Sequence, residues 1–187
     1  MNTPAHGIVN LIVLDHSKGK KSLTLPIALG AILPDAPILI FCFIQKFVLS
    51  KPEALILLVT QDRPAWQISV DIVNSIPLIL VALLVSAWLK HPWLAALFAS
   101  MGLHSLCDLP FHGAEALRHL LPFNHWQFES CISYREPAAG WWYFSAEVAL
   151  IILGSLFLFR RKAVPTRIAT AVFGLAYTIC LAFAWSS

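Results

Sequence analysis

Residues 92–111 read PWLAALFASMGLHSLCDLPF, a stretch apolar enough to cross a bilayer that nonetheless carries His104 and Asp108 on one helical face. About 20 such residues match a hydrocarbon core of ~30 Å at a rise of ~1.5 Å per residue. Ionisable groups at that depth are costly and turn toward a bundle interior, so the stretch implies a membrane helix with a polar centre on it. The i, i+4 spacing stacks the two side chains over one turn. Imidazole nitrogen and carboxylate oxygen are donors that zinc accepts. A hydrogen bond that merely packs two helices is the alternative for the pair.

The rest of the chain has the same character. Hydrophobic residues make up 58% and charged residues 12%, and the mean hydropathy is +0.74, outside the range of an ordinary soluble domain. At 187 residues, positions 1–187 form one transmembrane helical domain. Segments 70–89, 92–109, 140–159 and 166–185 each read as a spanning helix. In the N-terminal quarter, residues 5–14 are apolar but short for a span, while 23–49 are long enough but carry Pro26, Pro34, Asp35 and Pro37. The prolines predict a broken helix with a kink at LPDAP (33–37). The fold expected is an all-α polytopic bundle of about five to six helices, with a short interfacial helix in loop 110–139.

Thirteen Lys and Arg against ten Asp and Glu give a net charge of +3, broken into short loops. That pattern excludes a nucleic-acid binder and reports orientation in a lipid bilayer instead. Arg160, Arg161, Lys162 and Arg167 mark one cytoplasmic loop and Lys18, Lys20 and Lys21 another, with Lys90 and His91 on the same side. Loops 50–69 and 110–139 and the C-terminus then fall outside. His6 reaches the outer side only if the short first helix enters from there. Cys42, Cys107, Cys131 and Cys180 show no C-x-x-C spacing, and no redox function follows. The opening MNTPAHGIVNLIVLDH has neither a basic start nor a cleavage site and reads as a helix, not a removable signal.

The same donor types recur around the opening stretch. His112, Glu115 and His119 follow at i, i+3 and i+7, one stripe of a helix, which also suits an amphipathic helix among headgroups. Asp35 sits between two prolines, where it can cap the next helix or turn an oxygen to a site. Glu147 lies deep in GWWYFSAEVALIILG and is either a protonated packing residue or a ligand or base. Asp71 and Asn74 read as capping or solvated positions near a helix end. Trp126, Trp141, Trp142 and Tyr143 suit an outer aromatic belt.

Taken together, TPAH (3–6), AILPD (31–35) and HSLCDLPFH (104–112) resemble a family of bacterial inner-membrane proteins described as membrane-bound metal-dependent hydrolases. The resemblance is to a short branch that often carries a cobalamin-biosynthesis label, and it covers nearly the whole chain. It implies a polar core of His6, Asp35, His104 and Asp108, with His112, Glu115, Arg118 and His119 added from FHGAEALRHLLPFNHWQFESCISY (111–134). The chain departs from that branch near Glu129, where a further His is expected, and at REPAAG (135–140). On this reading a divalent metal, Zn²⁺ first, is bound at the outer interface. Glu115 or Glu147 serves as base, Arg118 holds a phosphate or carboxylate, and a lipid or other amphiphile is the substrate. A non-catalytic membrane protein with a structural His/Asp network and a small metal or solute transporter are the competing functions.

Overall fold

A backbone that cannot bond to water must satisfy itself, and in this chain it does so as helix. The computed structural model describes residues 1–16, 22–52, 64–111, 117–128, 130 and 137–186, and among them there is no strand. The described helices are α1 (Thr3–Leu14), α2 (Thr24–Val48), α3 (Pro64–Val73), α4 (Ile76–Trp88), α5 (Pro92–Asp108), α6 (Pro137–Arg161) and α7 (Val164–Ser186). Prolines punctuate them. Pro4, Pro64, Pro77, Pro92, Pro137 and Pro165 each occupy one of the first two positions of a helix, where a missing N–H costs nothing and the fixed φ is already helical.

The sequence misplaces one break. The expected straight span over 70–89 is two helices, α3 and α4, meeting at 45° across Asn74 and Ser75. Pro77 lacks the N–H an uninterrupted helix would need, and Ser75 caps the restart by accepting from the N–H of Leu78 at 3.3 Å. At LPDAP the interruption is milder: Leu33–Asp35 tighten into one 3₁₀ turn, helical dihedrals continue through Ala36, and Thr24–Val48 runs as one 25-residue span. Of the expected interfacial helix, residues 117–128 and 130 are turn and irregular chain, and 112–116 lie outside the described residues.

Among the described residues four helices are long and apolar enough to span, five if the bent α3–α4 pair counts as one. Their outward faces are apolar: Leu80, Val81 and Leu84 on α4, Leu153 and Leu156 on α6, and Ile168, Val172 and Leu175 on α7 are all exposed. Such a surface belongs in lipid. Polar side chains are instead drawn inward, as helices in membranes require.

At 12 residues, α1 is about 18 Å long, half a hydrocarbon core. It is nevertheless the best buried element. Ala5, Ile8 and Leu11 pack against Ile27 of α2, Ile151 and Leu158 of α6, and Phe173 and Tyr177 of α7. At its C-terminal end Asp15 accepts from Thr166 at 2.5 Å and Thr24 at 3.2 Å, and Lys162 donates to its backbone carbonyl. Its N-terminal end stops within the bundle, which places the positive end of its dipole among carboxylates.

Candidate metal centre

Thr3, His6 and Asn10 form a polar stripe along α1, spaced i, i+3 and i+7. Each meets a different group. Thr3 Oγ1 donates to Asp35 Oδ2 at 2.5 Å, His6 Nε2 pairs with Asp108 Oδ1 at 2.9 Å, and Asn10 Nδ2 donates to the carbonyl and hydroxyl of Ser100 at 2.8 and 2.7 Å. Ser100 Oγ in turn donates to the carbonyl of Ile27 at 2.6 Å, which ties α1, α5 and α2 together below the centre.

His104 arrives from α5. Its Nδ1 donates to the carbonyl of Ala31 at 2.9 Å, next to the turn where Pro34 offers no N–H and 3₁₀ pairing redistributes the helix bonds. The opposite nitrogen is thereby aimed inward: Nε2 lies 3.2 Å from Asp108 Oδ2 and 3.4 Å from Asp35 Oδ1, without hydrogen-bond geometry to either. The two imidazoles stack at 3.7 Å between centroids and 20° between planes. A protonated ring there pairs with the two carboxylates, whereas a neutral ring presents them a lone pair and needs a cation between.

The donor set fits a metal ion. One ligand atom each from His6, His104 and Asp108 falls within 4.8 Å of the others. Ligands ~2.0–2.2 Å from a tetrahedral ion stand about 3.4 Å apart. The contacts at 2.9, 3.2 and 3.4 Å lie at or somewhat below that value. A backbone carbonyl on the non-ligating nitrogen of His104 is the usual orienting partner of a ligand histidine. Asp35 stands beside this group, with Oδ1 3.4 Å from His104 Nε2, and its carboxylate makes no capping bond to the helix it precedes.

The other sequence candidates lie elsewhere. Glu147 accepts from the backbone N–H and side-chain amide of Asn2 at 2.7 and 2.8 Å and from Tyr177 Oη at 3.2 Å, seating the start of α1. The Met1 amino nitrogen lies 3.0 Å from Asp108 Oδ1. Arg118 is committed to Asp71, donating from Nε at 2.7 Å, Nη2 at 2.5 Å and its backbone N–H at 3.1 Å. His119 is buried with Nδ1 donating to the carbonyl of Asn74 at 3.3 Å, outside the His6–His104–Asp108 group. His112 and Glu115 lie outside the described residues.

Asp71 and Asn74 are not solvated end residues: both are buried, at 0% and 1% exposure. The break between α3 and α4 draws them inside. There Asn74 Nδ2 donates to the carbonyl of Pro34 at 3.0 Å and its Oδ1 accepts from Ser105 at 3.2 Å, bracing the chain beside Asp35 and beside His104. Proline two residues after a serine is the signal in the sequence that marks this break. Arg118→Ala is expected to strand the Asp71 carboxylate and cost about 3–5 kcal/mol, with most of the loss recovered in Arg118→Ala/Asp71→Leu, as read by thermal denaturation in detergent.

Comparison with known proteins gave no match to a protein-family model, to a curated protein or to a solved structure.

Proposed function

We propose that this chain is a metal-dependent hydrolase of the bacterial inner membrane, acting at the outer interface on a lipid or another phosphoester-type amphiphile. The observation that supports it most is His104, fixed by Ala31 so that its second nitrogen faces Asp35 and Asp108 beside His6. His6, His104 and Asp108 would hold a divalent ion, which would supply Lewis acidity toward a water and toward the bond to be split. Zn²⁺ is the first choice because it takes imidazole and carboxylate together. Asp35 stands at the edge of the set, leaving the fourth position open. Its side chain is 23% exposed where those of the two histidines are 0%, so it meets an incoming water and takes its proton, while Thr3 steadies the other oxygen.

The outer placement follows from charge. Asp108 ends α5 about 24 Å along the helix from Pro92, and the basic residues Lys90, Arg160, Lys162 and Arg167 lie toward the other end. The positive-inside rule puts that basic end in the cytoplasm. A reporter fused at the C-terminus should therefore be active outside the cytoplasm; activity only inside would invert the bundle and move the centre to the inner leaflet.

The experiment for the whole reading is elemental analysis of detergent-purified protein, followed by assay against phosphoester lipids. About one equivalent of metal and metal-dependent turnover are expected. A protein without stoichiometric metal would leave the His/Asp network as a packing device. One further observation favours a second reading: half-helix α1, the 3₁₀ turn of α2 and the α3–α4 break all meet at the carboxylates, as in transporters built on discontinuous helices. Metal flux into proteoliposomes without turnover would select that reading.

A further inference from the structure

Metal-ligating histidines are oriented from behind, and His104 has its orienting partner in the carbonyl of Ala31. His6 has none of that kind. Its Nε2 faces Asp108, and its Nδ1 is a fully buried polar atom without a hydrogen-bond partner among the described residues. One turn further along α1, Asn10 Oδ1 is likewise buried and unpartnered, although the amide nitrogen of the same side chain is held twice by Ser100. Both residues are 0% exposed.

These two atoms are complementary. Once Nε2 serves as ligand, the imidazole proton resides on Nδ1 and needs an acceptor. The side chain of a helical residue covers the turn N-terminal to its own Cα, so Asn10 lies over the turn that carries His6. Ser100 fixes the amide nitrogen of Asn10, and this leaves the oxygen as the group free to receive a proton. We infer that Asn10 is a positioning residue of the centre: the two atoms are not bonded to each other in the structure, and when Nε2 becomes a ligand the Asn10 Oδ1 receives the Nδ1–H of His6, sets the tautomer and holds Nε2 toward the ion. The inference rests on the metal reading above. It also couples the centre to the polar tie among α1, α2 and α5, because Ser100 bonds both Asn10 and Ile27.

The test is metal affinity in the full-length protein, by competition titration with Zn²⁺ and by the absorption bands of the Co²⁺ form. Asn10→Leu should bind Zn²⁺ roughly 10–100-fold more weakly, the usual effect of losing an orienting partner. Asn10→Asp keeps the acceptor and makes His6 more basic, so it should bind more tightly than wild type and shift the Co²⁺ bands. Ser100→Ala breaks the packing tie but spares the oxygen, and should stay within a few-fold of wild type in affinity. Wild-type affinity and spectrum in Asn10→Asp would overturn the inference, even if Asn10→Leu failed to fold. Equal weakening in Ser100→Ala and Asn10→Leu would also overturn it, by assigning the effect to packing. A wild type that binds neither ion would defeat the metal reading itself, a result distinct from both.

Discussion

His104→Ala protein should insert into the membrane and keep its helices, yet lose stoichiometric metal and any hydrolysis that depends on it. Insertion is spared because alanine at 104 makes the stretch more apolar, and translocon scales charge only ~2.5–3.5 kcal/mol even for an ionised residue at a helix centre. Folding loses the bond to the carbonyl of Ala31, about 0.5–1.5 kcal/mol, together with the packing of the ring on His6. Asp108 is not stranded, since His6 remains 2.9 Å away. Metal binding, by contrast, loses the one donor that touches both carboxylates. Were the network structural only, the same substitution would break a buried ionic cluster at about 3–5 kcal/mol, and the protein would disappear from the membrane fraction. Metal content and melting temperature, measured on one variant, separate these outcomes.

Gly30→Ala should destabilise the bundle and weaken metal binding, although Gly30 touches no ligand. Helix propensity alone predicts the opposite sign, a gain of about 1 kcal/mol. Sterics decide it. A Cβ at Gly30 would stand 2.3 Å from the carbonyl oxygen of Leu97 and 2.7 Å from Ser100 Cβ, and neither is the end of a flexible side chain. The helices α2 and α5 must therefore separate, at a cost of about 1–3 kcal/mol. The two bonds crossing that seam, Ser100 to Ile27 and His104 to Ala31, stretch with it. A lower melting temperature with reduced Zn²⁺ affinity is the expected pair of results; an unchanged or higher melting temperature would show that the seam gives way without loss.

Hydropathy alone was enough to identify the helices over 92–109, 140–159 and 166–185, because ~20 apolar residues in a row have few other stable environments, but it ran the bent α3–α4 pair together as one span over 70–89. The i, i+4 spacing likewise paired His104 with Asp108, since neighbours one turn apart must meet wherever the helix goes. His6 was expected on the side of Asp108 only if the short first helix enters from outside, and α1 does start beside Asp108 and end at Asp15 near Lys162. What the sequence left undetermined depends on distances between residues far apart in the chain. Asp71 and Asn74 look like the polar end of a span until the break at Pro77 turns them inward, and only then can they engage Arg118 and the carbonyl of Pro34. Glu147 could have joined the centre or not; three helices had to pack before its oxygens were taken by Asn2 and Tyr177. Periodicity fixes which face of a helix is polar, but which polar faces meet, and at what depth, is set by the packing of α1 among α2, α5, α6 and α7, where burial leaves each charged group to find its partner in the protein.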